Sequence, residues 1–427
     1  VNQNNTQKIA VIGLGFVGLP LACVFATKGF NVIGIDVDAN KIASLNEGKS
    51  YITDVSDDML KEVMETKRFS VTINPDEMKQ VNAIIICVPT PVNSDKSPKL
   101  DYVTSAAEEI AKRLQPGQLV VLESSTFPGT TRDIVKPILE QNGLKAGIDF
   151  NLAYSPERVD PGNDKYPIDS IPKVVGGISE KCKQAIQDLY AKVYQTIVPV
   201  SSTEAAEVTK LLENTYRFIN ISFVNEMAIL CDELGVNLWE VIEAASTKPY
   251  GYHPFYPGPG ISGHCIPVDP LYLQYVFEQK GITSRFIQLS DDMNKEIVEF
   301  IVQRTLELAG KEKPSIFIYG LTYKKDVADI RDSRAVDIFK QLISSGAQVE
   351  YHDPLVPEVK INNEFRRSIT LDKHVLESAD IVLILTDHSM IPIDFIVQHA
   401  KAIYDTRAVT KANHLQDKVY QLGNGVK

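Results

Sequence analysis

From Lys8 onward the chain alternates short runs of β-branched and aliphatic residues with stretches of helical pattern. No other feature limits the available folds as strongly. The runs fall at residues 9–12, 31–35, 83–88, 119–123, 151–154, 173–175 and 196–200. They are apolar almost throughout rather than at every second position. That pattern belongs to parallel strands covered by helices on both faces, where every side chain is buried. A doubly wound domain is therefore expected over residues 8–200.

The alternation restarts at 315–319 and continues at 348–351, 381–385 and 402–404, predicting a second, smaller α/β domain over 311–427. Between the two lies a region of different character, 201–310. Ser201-Ser202-Thr203-Glu204 reads as a helix start, with hydroxyl caps and an acid in the first turn. No Pro or Gly follows until Gly235, so one helix over Thr203–Leu234 is expected, on the order of 45 Å long. Residues 248–270 are rich in Pro and Gly and read as a structured loop, followed by a helix from about 290 to 309. The fold class expected is α/β, with two doubly wound Rossmann-like domains joined by a helical central region.

Glycines punctuate the first strand–helix junction. Gly13-Leu14-Gly15-Phe16-Val17-Gly18 follows the first run directly, and Asp36 closes the second run 18 residues after Gly18. In a dinucleotide site the first glycine makes the tight turn and the second lets a pyrophosphate approach the backbone. The third lets helix and strand pack closely, while the acid accepts from the adenosine ribose. A carboxylate repels a 2′-phosphate and no Arg follows Asp36 closely, so NAD is preferred over NADP. Pro89-Thr90-Pro91 and Ser124-Ser125-Thr126 end later strands at the same sheet edge, where ligands of open α/β sheets bind. Ordinary turns remain the competing reading for Ser124 and Ser125.

The chain carries 44 Lys+Arg against 55 Asp+Glu, a formal charge of −11. This argues against a general nucleic-acid or membrane-surface binder; an anionic ligand would need a basic pocket of its own. No apolar run approaches the roughly 18 residues of a membrane span. A polar stretch at 1–7, expected to fray, carries no basic-then-apolar leader. The five cysteines are an odd count and form no CxxC pair, which disfavours a disulfide framework and a zinc site, and no metal is expected. Cys23, Cys87 and Cys231 sit in apolar stretches as small core residues, and a reducing cytoplasm is expected.

Lys210, Asn214 and Arg217 recur at i, i+4 and i+7 of the long helix, so they share one face. They form either a stripe awaiting an anionic partner or a solvated one. Gly263-His264-Cys265-Ile266-Pro267-Val268-Asp269 places a thiol four residues before a carboxylate, a nucleophile with a water-orienting acid or a buried structural thiol. His264 either lowers that thiol's pKa or caps a turn. Glu157, in Tyr154-Ser155-Pro156-Glu157-Arg158, ends another strand as a candidate acid or base, or a salt-bridged loop acid.

Taken together these motifs resemble the UDP-glucose/GDP-mannose dehydrogenase family, the NAD-dependent four-electron oxidases of nucleotide sugars, from residue 8 to about 409. The resemblance rests on the glycine triplet, Ser-Ser-Thr, Ser-Pro-Glu-Arg, Lys-x-x-x-Asn, Gly-His-Cys and Tyr323-Lys324-Lys325-Asp326. It implies that a C6 alcohol is oxidised to an aldehyde, captured by Cys265, oxidised again to a thioester and hydrolysed. Lys210 would stabilise the oxyanion, Asn214 would position the same oxygen or an ordered water, Asp269 would orient or activate water, and Thr126 and Glu157 would assist proton transfer and hydrolysis. Gly13, Gly15, Phe16, Val17, Gly18, Asp36, Pro89, Thr90, Ser125, Thr126 and Arg331 would hold NAD. Glu157, Arg158, Lys210, Asn214, Arg217, Tyr256, Gly263, Lys325 and Arg407 would hold the UDP-sugar.

The segment around Cys265 departs from the Gly-Gly-Ser-Cys-Phe-x-Lys-Asp of glucose-specific members and resembles the N-acetylhexosamine branch. Ser155-Pro156-Glu157-Arg158-Val159-Asp160-Pro161-Gly162-Asn163 leans to glucosamine over mannosamine. The resemblance implies a homodimer built on the long helix and a uronic acid product for capsule, O-antigen or another surface glycan. Two readings compete: a two-electron hydroxyacid dehydrogenase, which needs neither Cys265 nor a third domain, and a catalytically idle nucleotide-sugar sensor.

Overall fold

The computed structural model describes residues 7–52, 54–93, 97–159, 166–263, 265–410 and 417–426. Residues 1–6 of the stretch expected to fray, His264 and the Asp160-Pro161-Gly162-Asn163 stretch lie outside the described residues. The chain divides into two compact units: Val1–Glu213 with Leu271–Ile282, and Asn214–Pro270 with Thr283–Lys427.

In the first unit eight strands form one sheet: β1 (Lys8–Ile12), β2 (Asn31–Ile35), β3 (Phe69–Thr72), β4 (Ala83–Ile86), β5 (Leu119–Leu122), β6 (Asn151–Tyr154), β7 (Lys173–Gly177) and β8 (Ile197–Pro199). Their order is 3-2-1-4-5-6-7-8, so the chain winds outward from β1 in both directions. Alternate residues feed opposite faces. Ile9 and Val11 of β1, and Ala83 and Ile85 of β4, enter one core, while Ala10, Ile84 and Ile86 enter the other. This two-sided burial is why the runs read as continuously apolar. Each such Ile or Val contributes about 1.5–3 kcal/mol.

Two features depart from the parallel sheet expected. The edge strand β3 was not anticipated, because only Phe69 of its four residues is buried and the pattern is weak. β7 runs antiparallel to β6, pairing Ala153 with Gly177, and β8 follows β7. Parallel neighbours need a crossover, usually helical. Between β6 and β7 the described residues hold only the single turn Ile168–Ser170, so the chain returns along the same edge.

The 32-residue helix Thr203–Leu234 has the bounds expected of it. In the second unit the Arg285–Ala309 helix begins five residues before the expected start, after Ser284. A five-stranded sheet follows, comprising β9 (Ser315–Tyr319), β10 (Gln348–His352), β13 (Ile381–Ile384), β14 (Ile403–Asp405) and β15 (Val419–Gln421), in the order 10-9-13-14-15. Ile316 and Ile318 face one core, Phe317 and Tyr319 the other. A hairpin of β11 (Glu358–Ile361) and β12 (Glu364–Arg367) turns at Asn362-Asn363, both at positive φ (48° and 68°). Two consecutive left-handed residues match the twist of a hairpin, and Asn tolerates them.

Candidate functional site

In the first unit the three glycines of the turn after β1 serve different needs. A Cβ on Gly13, whose φ is +88°, would lie 2.7 Å from the Cys87 carbonyl oxygen, and one on Gly18 would lie 1.8 Å from that of Gly13. Packing alone requires both to be glycine. A Cβ on Gly15 would meet nothing within 4 Å. The fold leaves that space open, which is what a pyrophosphate lying against the backbone needs. The Gly18–Thr27 helix carries no acid in its first turn to oppose an anion. Asp36 accepts the Leu14 N–H at 2.9 Å and the Asp38 N–H at 3.0 Å, with Lys41 Nζ 3.3 Å from Oδ2. Phe16 is exposed and Val17 half-buried beside this turn.

The loops after β4 and β5 lie at the same edge. The Thr90 carbonyl, next to exposed Pro89, accepts the Tyr272 hydroxyl. Ser124 donates to the Val88 carbonyl at 2.7 Å, so its hydroxyl is spent on holding the loops together. Ser125 is half-buried. Thr126 is 1% exposed, and its Oγ1 has no partner among the described residues. A buried, unpaired hydroxyl is costly unless a ligand or water completes it.

Beyond β6, Glu157 Oε1 accepts the N–H groups of Arg158 and Val159 at 2.7 and 2.8 Å. Its Oε2 lies 3.2 Å from Lys173 Nζ, which is 2.8 Å from Glu123 Oε2. Burial pushes the Glu157 carboxyl up, but the charges of Lys173 and Lys210 and the Val159 N–H outweigh it and hold it below its usual range. Lys210 makes no hydrogen bond or ion pair among the described residues. Arg158 is engaged: Nη2 and Nε reach Glu213 at 2.6 and 3.2 Å, and Nη1 donates to the Pro172 carbonyl at 2.7 Å. That leaves two of its five N–H groups for a ligand.

In the second unit Cys265 is the one half-buried thiol; Cys23, Cys87, Cys182 and Cys231 are buried, and none of the five is in a disulfide. The Asp269 N–H donates to the Cys265 carbonyl at 2.9 Å, which folds the carboxylate's backbone back onto the thiol's. Asp269 is 2% exposed and accepts from Asn214 Nδ2 at 2.6 Å. Gly263 has φ +85°, and a Cβ there would lie 2.9 Å from the Tyr323 ring. Arg331 is held by Asp329, with Nη2 at 2.6 Å from Oδ2; its charge is favoured first by that bond and further by Cys265.

The Pro/Gly-rich segment is tied down within this unit. Gly258 and Ile261 N–H groups donate to Asn225 and Asn294 at 3.0 and 2.5 Å, and Ser262 accepts the Arg334 N–H at 2.9 Å. Arg407 Nε donates to the Leu385 carbonyl at 3.0 Å, and a Cβ on Gly258 would lie 2.8 Å from its Nη1. Exposed Tyr256 stacks on Trp239, while Lys325 and Arg217 are exposed. The structure thus gathers Glu157, Lys210, Thr126 and the glycine turn in one unit, and Cys265, Asp269, Asn214, Arg331 and Arg407 in the other.

Three family models match in succession: the NAD binding domain of the UDP-glucose/GDP-mannose dehydrogenase family over residues 7–194, its central domain over 204–296, and its UDP binding domain over 317–412. The chain belongs to this family. It is an NAD-dependent nucleotide-sugar dehydrogenase. A UDP-N-acetyl-D-mannosamine dehydrogenase from Campylobacter jejuni is 35% identical over 90% of this chain and 96% of its own. A UDP-N-acetyl-D-glucosamine 6-dehydrogenase from Pseudomonas aeruginosa is also 35% identical, over 84% of this chain and 85% of its own. The structure of a UDP-D-ManNAc dehydrogenase from Pyrococcus horikoshii superposes with a TM-score of 0.88 at 33% identity, covering 98% of this chain and all of that one.

Sequence reasoning missed several residues of the dehydrogenase's polar framework. Glu123 and Lys173, 1% and 3% exposed, are 50 residues apart and looked like strand ends. Glu207, fully buried, accepts from Gly129 N and from Thr131 N and Oγ1, fixing the loop that follows Thr126 to the turn of helix before Lys210. Its spacing of three from Lys210 was the only available signal. No group of three or more metal-ligating side chains occurs among the described residues, and no helix there is long and apolar enough to cross a membrane.

Proposed function

We propose that the enzyme oxidises the C6 hydroxyl of UDP-N-acetylglucosamine to the uronic acid in two oxidation steps, with Cys265 as the covalent nucleophile. The observation that carries this reading is the contrast among the thiols: four are buried, and the half-buried one sits beside Arg331 with Asp269 folded back on its backbone. The thiolate is the form of cysteine that attacks a carbonyl, and reactive cysteines are partly exposed beside a cation.

Gly13, Gly15, Gly18, Phe16, Val17, Asp36 and the loops at Pro89-Thr90 and Ser125-Thr126 hold NAD. When bound, NAD accepts a hydride in each of the two oxidations. Cys265 adds to the aldehyde, forming a C–S bond and a thiohemiacetal; the second oxidation leaves a thioester. Water then adds to the thioester, the C–S bond breaks, and the thiol is restored with the acid as product. Lys210, whose ammonium makes no hydrogen bond or ion pair among the described residues, stabilises the oxyanion of each tetrahedral species. Asn214 donates to Asp269 and fixes the carboxylate that orients water. Glu157 takes the proton of the attacking water, and Thr126 completes its hydrogen bonding with a bound group.

Lys325, Arg407, Arg217, Arg158, Tyr256 and Gly263 hold the nucleotide sugar, focusing positive charge in a chain of net charge −11. Residues 8–200, 201–310 and 311–427 serve as cofactor, central and UDP-binding regions of a cytoplasmic homodimer. Its product is a sugar donor for capsule, O-antigen or a related glycan.

The sequence at residues 155–163 and the P. aeruginosa relative favour the glucosamine epimer; the C. jejuni relative, also 35% identical and over more of both chains, favours mannosamine. Initial rates with UDP-N-acetylglucosamine, UDP-N-acetylmannosamine and UDP-glucose side by side decide it. The reading expects kcat/KM highest for the first by at least about tenfold, a difference of about 1.4 kcal/mol. Activity confined to the second keeps the chemistry and overturns the sugar.

A further inference from the structure

Glu157 is caught in a buried charge cluster in which a single cation serves two carboxylates. Lys173, the first residue of β7, bridges Glu123 at 2.8 Å and Glu157 at 3.2 Å, with all three side chains buried. The Tyr190 hydroxyl caps the other Glu123 oxygen. The ammonium lies 5.7 Å from the Tyr190 ring centroid and 5.3 Å from that of Tyr194, so aromatic faces close its remaining side. Around Glu157, then, stand Lys173 from β7, Glu123 after β5, Lys210 from the long helix, Tyr194 and the neighbouring Arg158. Cys87 after β4 is buried near the same cluster.

This arrangement pins Glu157 at both oxygens. Oε1 is taken by two backbone N–H groups and Oε2 by Lys173. A carboxylate has roughly four lone-pair positions, so three contacts leave about one for a water proton. A buried pair of carboxylates with one cation between them cannot both stay charged cheaply. Burial pushes Glu123 up despite Lys173, whereas Glu157, with Lys210 as a second cation, is held low. Lys173 itself is held well above its ordinary value by Glu123 and Glu157, against burial, so it is not an acid or base near neutrality.

We propose that Lys173 is a positioning residue of the hydrolytic step: shared between Glu123 and Glu157, its ammonium aims the Glu157 carboxylate and tunes it as the base that deprotonates the attacking water. The proposal rests on the reading that Glu157 is that base. It predicts opposite effects for two buried substitutions. Lys173→Met removes a cation beside Glu157 and moves the acidic limb of hydrolysis to higher pH, whereas Glu123→Gln removes an anion and moves it to lower pH.

The test is the rate of thioester breakdown, followed by rapid quench in single turnovers after pH jumps spanning pH 3 to 9, for the full-length enzyme. Lys173→Met should raise the limb by about one unit or more, Glu123→Gln should lower it, and Lys173→Arg should restore it close to wild type. Should Lys173→Met not fold, the downward shift in Glu123→Gln carries the test alone. A structural role would slow or destabilise every variant without moving the limb in opposite directions. An unmoved limb in these variants, with hydrolysis lost in Glu157→Gln, overturns the role of Lys173 alone. Wild-type hydrolysis and an unchanged profile in Glu157→Gln overturn it together with the assignment of Glu157.

Discussion

At the end of β1 the Gly13 N–H donates to the Ile35 carbonyl at 2.8 Å, and the Leu14 N–H to Asp36 at 2.9 Å. At the end of β9 the same corner recurs: Gly320 N–H to the His352 carbonyl at 2.9 Å, and Leu321 N–H to Asp353 at 2.6 Å. Both glycines have φ near +88° (Gly320 at +87°), and each is pressed against the strand that follows across the sheet, by Cys87 in one case and Thr386 in the other. After this shared start they diverge. In the first unit two more glycines and a helix N-terminus follow, and Asp36, 7% exposed, accepts the Asp38 N–H on Oδ1 at 3.0 Å. In the second the chain continues as Thr322-Tyr323-Lys324-Lys325, and Asp353 is sealed: Thr322 N–H adds a second bond at 3.2 Å, and His388 Nε2 lies 3.3 Å away with both side chains fully buried. Asp326 N–H donates to His388 Nδ1 at 3.1 Å, so the imidazole turns its Nε2–H toward Asp353 and Thr322. On the proposed function the same backbone corner serves as a dinucleotide cradle in the first unit, where the acid meets backbone N–H groups and Lys41 rather than a buried histidine. Where the acid is closed by histidine it is a scaffold for a cationic loop.

The largest expected effect comes at the position that separates the two corners. Gly15→Val fills space the fold does not use, so NAD-dependent turnover should fall at least about 1,000-fold, about 4 kcal/mol, while the thermal midpoint stays put. A lowered midpoint with turnover retained would mean that Gly15 serves packing, as Gly13 does.

Buried carboxyls in the two units should respond oppositely to pH. Burial raises Glu207 from 4.5 to about 7, against three hydrogen bonds. Its contribution to stability is therefore present below about 4.5 and is lost as pH rises through 7, on the order of 3 kcal/mol. Asp353, which burial raises but His388 and the backbone N–H groups pull below 3.8, contributes above that value and loses its contribution on acidification. Urea midpoints across pH 3–8 should show a decline between 5 and 7.5 in wild type that Glu207→Gln abolishes. A decline that survives that substitution would contradict the assignment.

A smaller effect is expected for His388→Ala, which leaves Asp353 short of a partner and should cost about 2 kcal/mol by urea unfolding. KM for NAD should not change. A shift in NAD affinity with no loss of stability would mean that the second corner is not a scaffold.

What could be read beforehand followed from features local in the chain. The two-faced burial of β1, β4, β9 and β13 writes itself as unbroken apolar runs, and the capped, proline-free stretch gave both ends of the Thr203–Leu234 helix. The glycine triplet and Asp36 are linked by spacing. The reversal of β7 and β8 depends on what a connection lacks, and β3 and the Asn362-Asn363 hairpin have few buried residues to announce them. The Lys210, Asn214, Arg217 stripe shows the limit of periodicity: Asn214 bonds buried Asp269, Arg217 is exposed, and Lys210 makes no ion pair among the described residues. Glu123 with Lys173, and Asp353 with His388, meet across 50 and 35 residues. Nothing at those sequence distances reveals a buried pair, because tertiary packing alone decides which polar groups face each other.

The central claim, two oxidations on one covalent thiol, is tested most directly by counting NADH formed per UDP-N-acetylhexosamine consumed, with wild type and Cys265→Ser. The account predicts two NADH per sugar in wild type and loss of completed turnover in the variant. One NADH per turnover, unchanged by the substitution, would contradict the thioester and make the protein a two-electron dehydrogenase.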